Sequence, residues 1–257
     1  MEEITGKNNR IIKDTKKLFS SSKARRENNS FVLEGARLCF DVLNSFYKVN
    51  YVLITKNAYN KYRSNARLLI ERADDAYFIS EDNAQRLSDT VACQGIFAVC
   101  SMSDEVLQIN GKKYIALDNV QDPSNMGNII RTAEALGIDG IIIFNCCDIY
   151  NPKVLRASMG SVLRCGIVDV DNLEDYLVNM KDDGFAIYST VPDSKATKIT
   201  EIDFSEKTVC VIGNEANGVE ENIKNISNSL ITIPMMGRAE SLNAATAAAL
   251  TLWEMLR

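Results

Sequence analysis

From residue 114 to the end, the chain alternates short apolar, β-branched runs with helical patterns, and this alternation leaves few folds open. The runs are 114–118 (YIALD), 140–144 (GIIIF), 167–170 (IVDV), 185–189 (FAIYS), 209–212 (VCVI) and 230–233 (LITI). Helical patterns are expected over 125–136, 152–163, 172–182 and the Ala-rich C-terminal stretch. Such spacing implies a mostly parallel sheet covered on both faces. The strands at 209–212 and 230–233 are expected to be neighbours. Their loops, 213–218 and 234–240, would then leave one end of the sheet, where open α/β sheets hold ligands.

The first hundred residues repeat the alternation on a smaller scale. Strands are expected at 31–35, 49–55, 76–79 and 95–101, with helices over 36–44, 61–72 and from residue 81. A helix with a serine-rich loop precedes them. The polar stretch 102–113 is the expected linker, dividing a domain of 1–104 from one of 113–257.

Charge divides the same way. Residues 1–100 carry 16 basic and 12 acidic side chains, net +4, and the remainder 13 and 22, net −9. Between Lys7 and Arg26 stand eight Lys or Arg and one Asp. That run is either a solvated helix face or a polyanion-binding surface. The N-terminus lacks the apolar core of a signal peptide, and no apolar run is long enough to span a bilayer. With no histidine among 257 residues, and seven cysteines that form no Cys-x-x-Cys pair, a zinc site and every Ser-His or Cys-His arrangement are disfavoured. The cysteine usage suits a reducing cytosol.

Three stretches could carry chemistry. Residues 118–131 follow the first strand of the larger domain, with Ser124 or Asn125 as the expected helix cap and Gly137 as its end. Gly127 and Arg131, four apart, would share a helix face, and Ile129, Ala133 and Leu136 would face the core. Arg131 is either paired to a core carboxylate or free for function. The loop 213–218 has neither dinucleotide nor phosphate-loop spacing, and Glu215 and Glu220 would repel a pyrophosphate. A neutral or cationic ligand fits it better. Ser241 and Asn243 precede the last helix as caps or site residues. Cys146 and Cys147 read as packing residues.

Together these segments resemble the SpoU (TrmH) family of RNA 2′-O-methyltransferases, in the SPOUT class. The first motif matches Asn125-x-Gly127-x-x-x-Arg131, and an intermediate stretch matches residues 151–164. The second matches Val211-Ile212-Gly213-Asn214-Glu215-x-x-Gly218. The third matches Ile233-Pro234-Met235-x-Gly237-x-x-x-Ser241-Leu242-Asn243. Three motifs in series are specific where one alone would be weak. Residues 10–100 resemble the family's substrate-binding domain, of ribosomal-protein L30e-like fold. One departure is Ala244-Ala245-Thr246, where many members carry Val-Ser.

The resemblance implies a C-terminal, trefoil-knotted SPOUT domain with a mostly parallel sheet, plus a smaller N-terminal α/β domain. It implies S-adenosylmethionine (AdoMet) held by Gly213, Gly218, Ile233 and Leu242, with Glu215, Met235 and Ser241 beside it. It implies catalytic roles for Arg131, Asn125, Glu215, Ser241 and Asn243, and transfer of a methyl group to a ribose 2′-OH in RNA. Partners would be RNA, ribosomal RNA ahead of tRNA by analogy with two-domain members, and a second copy in a cytoplasmic homodimer; no metal or membrane is implied. A guanidinium is a poor base, so Arg131 is expected to bind a phosphate and stabilise developing alkoxide. The alternatives are a catalytically silent RNA-binding protein and a nucleotide-dependent oxidoreductase.

Overall fold

The computed structural model describes residues 1–90, 92–102 and 111–257. The N-terminal part runs β1 (Glu2–Ile4), α1 (Arg10–Ser20), α2 (Ser22–Glu27), β2 (Ser30–Glu34), α3 (Ala36–Asp41), β3 (Val49–Ile54), α4 (Lys56–Lys61), α5 (Arg63–Arg72), β4 (Asp75–Ile79), α6 (Glu81–Leu87) and β5 (Ile96–Ser101). Its sheet has the order β1-β4-β3-β5-β2, with β5 antiparallel to both neighbours. The short β1 has too few residues for a period to be read from sequence, yet it pairs in parallel with β4. The helix expected over 61–72 is α5, and a short helix that was not expected, α4, precedes it.

Ser21 closes α1 and then caps α2, its Oγ accepting from the Ala24 N–H at 3.1 Å. Arg25 is buried, and its guanidinium donates to the carbonyls of Leu18 (2.6 Å) and Phe19 (3.4 Å). One of the eight clustered cations is therefore a structural clasp. The other seven, Lys7, Arg10, Lys13, Lys16, Lys17, Lys23 and Arg26, are exposed.

Most of the expected linker, 103–110, lies outside the described residues. The chain continues with β6 (Lys113–Asp118), α7 (Pro123–Leu136), β7 (Gly140–Phe144), α8 (Pro152–Ala157), β8 (Ile167–Asp169), α9 (Leu173–Asp182), β9 (Ala186–Thr190), β10 (Thr197–Lys198), β11 (Thr208–Ile212), α10 (Glu221–Ile226), β12 (Ser229–Thr232) and α11 (Ala244–Leu256). The sheet order is β10-β12-β9-β11-β6-β7-β8, parallel throughout.

One expectation is corrected here. Strands β11 and β12 are not neighbours, because β9 lies between them and pairs with both. Apolar runs predict that strands exist, whereas their order depends on where each crossover lands. The helix expected over 152–163 also stops at Ala157. Met159 (φ 52°) and Gly160 (φ 88°) turn the chain left-handed before a short 3₁₀ turn at Ser161–Leu163.

The chain forms two compact units, and one stretch crosses the division drawn from sequence. Tyr150–Leu163 belongs to the unit of the N-terminal residues, while the other unit joins the residues before Tyr150 to Arg164–Arg257. In the first unit Tyr150 stacks on Phe31, with ring centroids 4.5 Å apart, and its hydroxyl meets that of Tyr47 at 3.2 Å. Arg156 pairs with Asp89 at 3.0 Å. In the second unit, Tyr114, Ala116, Ile142, Ile187, Val209 and Val211 form one face of the buried sheet under α9 and α10. Each large aliphatic side chain among them contributes about 1.5–3 kcal/mol by leaving water.

Candidate active site

Helix α7 is capped by Asp122, not by Ser124 or Asn125. Its Oδ1 accepts from the N–H groups of Ser124 (2.9 Å) and Asn125 (2.8 Å), with Pro123 at the first helical position. Gly137 ends the helix at φ 72°, as expected. Asn125 is thereby free of capping and turns inward. Its Nδ2 donates to Glu215 Oε1 at 3.0 Å, and its Oδ1 accepts from Asn243 Nδ2 at 2.8 Å. Asn243 Oδ1 in turn caps α11, accepting from Ala245 and Thr246. One chain of side-chain hydrogen bonds thus ties together the loops of all three motifs.

The carboxylate of Glu215 also accepts from the backbone N–H groups of Gln121 (3.3 Å) and Asp122 (3.2 Å). Burial pushes its pKa up. The Asn125 amide and the surrounding backbone N–H groups outweigh that and hold the carboxyl below its ordinary value. Glu215 is thus an anion whose oxygens are committed to positioning the first-motif loop.

The turn from Gly213 to Gly218 is closed by reciprocal backbone hydrogen bonds between Asn214 and Gly218, at 3.0 and 2.9 Å. A Cβ on Gly213 would lie 2.1 Å from the Gly218 carbonyl carbon and 2.2 Å from the Val219 nitrogen. Glycine is required there by the loop's own fold, before any ligand is considered. Asn214 Oδ1 accepts from Ala216 and Asn217, and its Nδ2 reaches the Asn119 carbonyl at 2.8 Å.

Four residues here escaped the sequence reading. Asn119 (φ 60°) and Asn145 (φ 48°) both turn left-handed just past β6 and β7, and Gln121 Nε2 bridges Asn119 Oδ1 and the Asn145 carbonyl. An asparagine directly after each strand was the available signal, since Asn tolerates that backbone. The fourth is Asp118, fully buried at the end of an apolar strand. Its Oδ2 accepts from the Glu220 N–H at 2.7 Å, while its Oδ1 has no partner among the described residues. Burial raises its pKa. A lone carboxylate closing YIAL was legible as an anchor.

Arg131 stands apart from this network, six residues and about 9 Å along α7 from Asn125. It is exposed and makes no ion pair among the described residues, so it is not the core-paired arginine of the structural alternative. It lines an open cleft of 420 Å³ with Asn128, Thr132, Ala135, Leu136, Ala249 and Trp253. Leu136 lines that cleft and is not part of the buried stripe, which is Met126, Ile129, Ile130 and Ala133. Gly127 is buried, unlike Arg131, so the two do not share an open face.

Ile233, Met235 and Leu242 are half-buried, and Ser241 is exposed. Among the described residues the loop 234–242 makes no backbone–backbone hydrogen bond. Half-covered apolar side chains beside uncommitted peptide groups suit a nucleoside-bearing cofactor such as AdoMet, one part apolar and one part hydrogen-bonding. Cys146 and Cys147 offer no thiolate, since burial pushes them up to about 11 and about 12. Among the described residues no group of three or more Cys, Asp or Glu is placed to hold a metal ion, and no helix is long and apolar enough to cross a membrane.

Residues 112–253 match the model of the SpoU rRNA methylase family, and residues 9–98 match an MRM3-like substrate-binding domain. The chain is 33% identical to the 23S rRNA (guanosine(2553)-2′-O)-methyltransferase RlmP of Bacillus subtilis, over 99% of both chains. It superposes with a TM-score of 0.89 on an AdoMet-bound rRNA methyltransferase from Sinorhizobium meliloti, at 29% identity over 99% of this chain and 97% of that one. The SpoU methyltransferase AviRb of Streptomyces viridochromogenes, in complex with AdoMet, gives a TM-score of 0.85 at 26% identity over 97% of each chain. On the match of its family model and the likeness to these relatives over nearly the whole chain, the protein belongs to the SpoU rRNA methylase family.

Proposed function

We propose that the protein methylates a ribose 2′-OH of 23S ribosomal RNA. The observation that carries this is the end-to-end likeness to the Bacillus subtilis enzyme, which acts on a guanosine of that RNA. Family membership removes the oxidoreductase alternative, and tRNA becomes the second substrate to test. Mapping 2′-O-methyl groups in RNA from cells with and without the protein tests the assignment. Loss of one 23S site supports it, and loss of a tRNA site alone overturns it.

AdoMet would supply an electrophilic methyl group on a sulfonium. The residues proposed to hold it are Gly213, Gly218, Ile233, Met235, Ser241 and Leu242, of which Gly213 and Gly218 shape the loop and the others offer the apolar and peptide surface. Asn125, Glu215 and Asn243 are proposed to act by fixing the three loops relative to one another. Arg131 would bind the phosphate beside the target ribose and stabilise charge as the 2′-oxygen loses its proton. No histidine is present to take that proton, and the substrate phosphate or a water is proposed to accept it.

The expected trefoil knot, with the C-terminal segment threaded through an earlier loop, is retained as part of this reading. So is the homodimer. Trp253, Leu250 and Leu256 on α11 are exposed, Trp253 by 64%, and a second copy would cover them beside the Arg131 cleft. A ribosomal RNA substrate would place the protein in the cytoplasm. The exposed lysines of α1 and α2 are proposed to grip the RNA backbone. Charge reversal at Lys13 and Lys17 should weaken RNA binding and flatten its salt dependence. Deleting residues 1–100 is a poorer test, because it strips Tyr150 of its aromatic partners.

A further inference from the structure

We propose that Phe46 is a stacking platform for one unpaired nucleobase of the RNA substrate. Phe46 lies in the turn between α3 and β3, within the stretch that matches a substrate-binding domain. It is 42% exposed, an uncommon position for a phenylalanine. Its ring stacks on Tyr47, with centroids 4.5 Å apart and planes at 24°. Among the described residues it has no second ring partner. One face is supported from beneath, and the ring is still open to solvent.

The support is rigid. Tyr47 is buried, set edge-on against Phe31 at 5.3 Å and Tyr150 at 6.2 Å. The backbone on either side of Phe46 is held by one guanidinium. Arg72 donates to the carbonyls of Leu43 (2.6 Å), Ser45 (2.5 Å) and Tyr47 (3.1 Å). Ser45 Oγ further closes the turn on the Val42 carbonyl at 2.8 Å. A turn built this way presents its aromatic ring with little ordering cost left for binding. The exposed Lys48 follows two residues on, paired with Asp74 at 2.7 Å, where it could meet a phosphate.

An apolar ring on a net-basic unit fits a nucleobase better than an apolar protein surface. Single-stranded RNA offers both the π-face and the phosphate that this arrangement would meet. Such stacking tolerates any base, so the platform would orient a bulged or looped nucleotide without reading its identity.

This inference rests on the reading that the N-terminal unit binds RNA, and the test separates the two. The full-length protein and its Phe46→Leu, Phe46→Tyr and Phe46→Trp variants are titrated with unmodified 23S rRNA transcript and assayed for methyl transfer. Phe46→Leu should weaken RNA binding and raise the RNA KM about tenfold. It should leave kcat, AdoMet affinity and the salt slope unchanged, since no charge is lost. Phe46→Tyr and Phe46→Trp should keep binding within about twofold of wild type, and the transcript should quench the indole emission that Phe46→Trp adds to that of Trp253. Phe46→Leu at wild-type affinity, while Lys13 and Lys17 reversal weakens binding, overturns the platform alone. A Phe46→Leu protein that dissociates to monomers also overturns it, since the ring would then be covered by protein. Wild-type affinity in the charge-reversal variant overturns the underlying reading first.

Discussion

Two side chains of the larger unit invite separate tests, because one faces solvent and the other never does. Arg131 is exposed and unpaired by any described carboxylate, so its removal costs little folding energy. Arg131→Ala should bind AdoMet within about twofold of wild type by calorimetry and lose methyl transfer by at least about a hundredfold, the scale of removing one transition-state donor. Retained turnover would rule out its proposed role. Asp118 is the opposite case, with a carboxyl that burial holds above its ordinary pKa. Such a group binds its proton more tightly when folded, so the wild type loses stability as pH rises from below about 3.9 through the raised value. Asp118→Asn keeps an acceptor for the Glu220 N–H and cannot ionise. Its stability relative to wild type should therefore climb across that window and level off above it. A difference independent of pH in thermal melts would show that the charge is not the cost.

At the scale of elements, the Gly213–Gly218 loop and helix α11 make distinguishable predictions. Gly213→Val places a branched side chain against the loop's own backbone, so it should lower both melting temperature and AdoMet affinity, with about 1–3 kcal/mol lost from stability. Weakened AdoMet binding with an unchanged melt would instead mean that only the ligand is crowded. Trp253→Glu on α11 should yield a folded monomer by light scattering, and a persistent dimer would move the interface elsewhere. Elements were largely legible from sequence: the strands from residue 114 on fall where the apolar runs placed them, and Gly137 ends α7 as expected. What was illegible depended on through-space partners. Pro123 was the local sign that Asp122 and not Ser124 is the cap, whereas no local pattern shows that β9 separates β11 from β12. The break at Met159 required a non-glycine residue to turn left-handed, which propensity argues against.

Across the molecule, the motifs announced which loops matter but not how they are joined. Asn125, Glu215 and Asn243 were expected together from three separate motifs, and the structure joins them through hydrogen bonds centred on Asn125, while Arg131 lies on a different part of α7. A motif names residue types at a spacing; hydrogen-bond direction fixes which of them touch. The excursion of Tyr150–Leu163 was likewise hidden, since its helical pattern is the same whichever unit it packs in. Its consequence is one of connectivity. The backbone passes between the units near residue 104, again at Ile149–Tyr150 and again at Leu163–Arg164, so the smaller unit is sewn in by three covalent passages. A protease site engineered between Met102 and Gly111 should therefore give two bands under denaturing conditions and one species on a native column after cutting. Separation of the fragments would mean that Tyr150 and Arg156 hold the cut piece too weakly to replace the severed peptide bond.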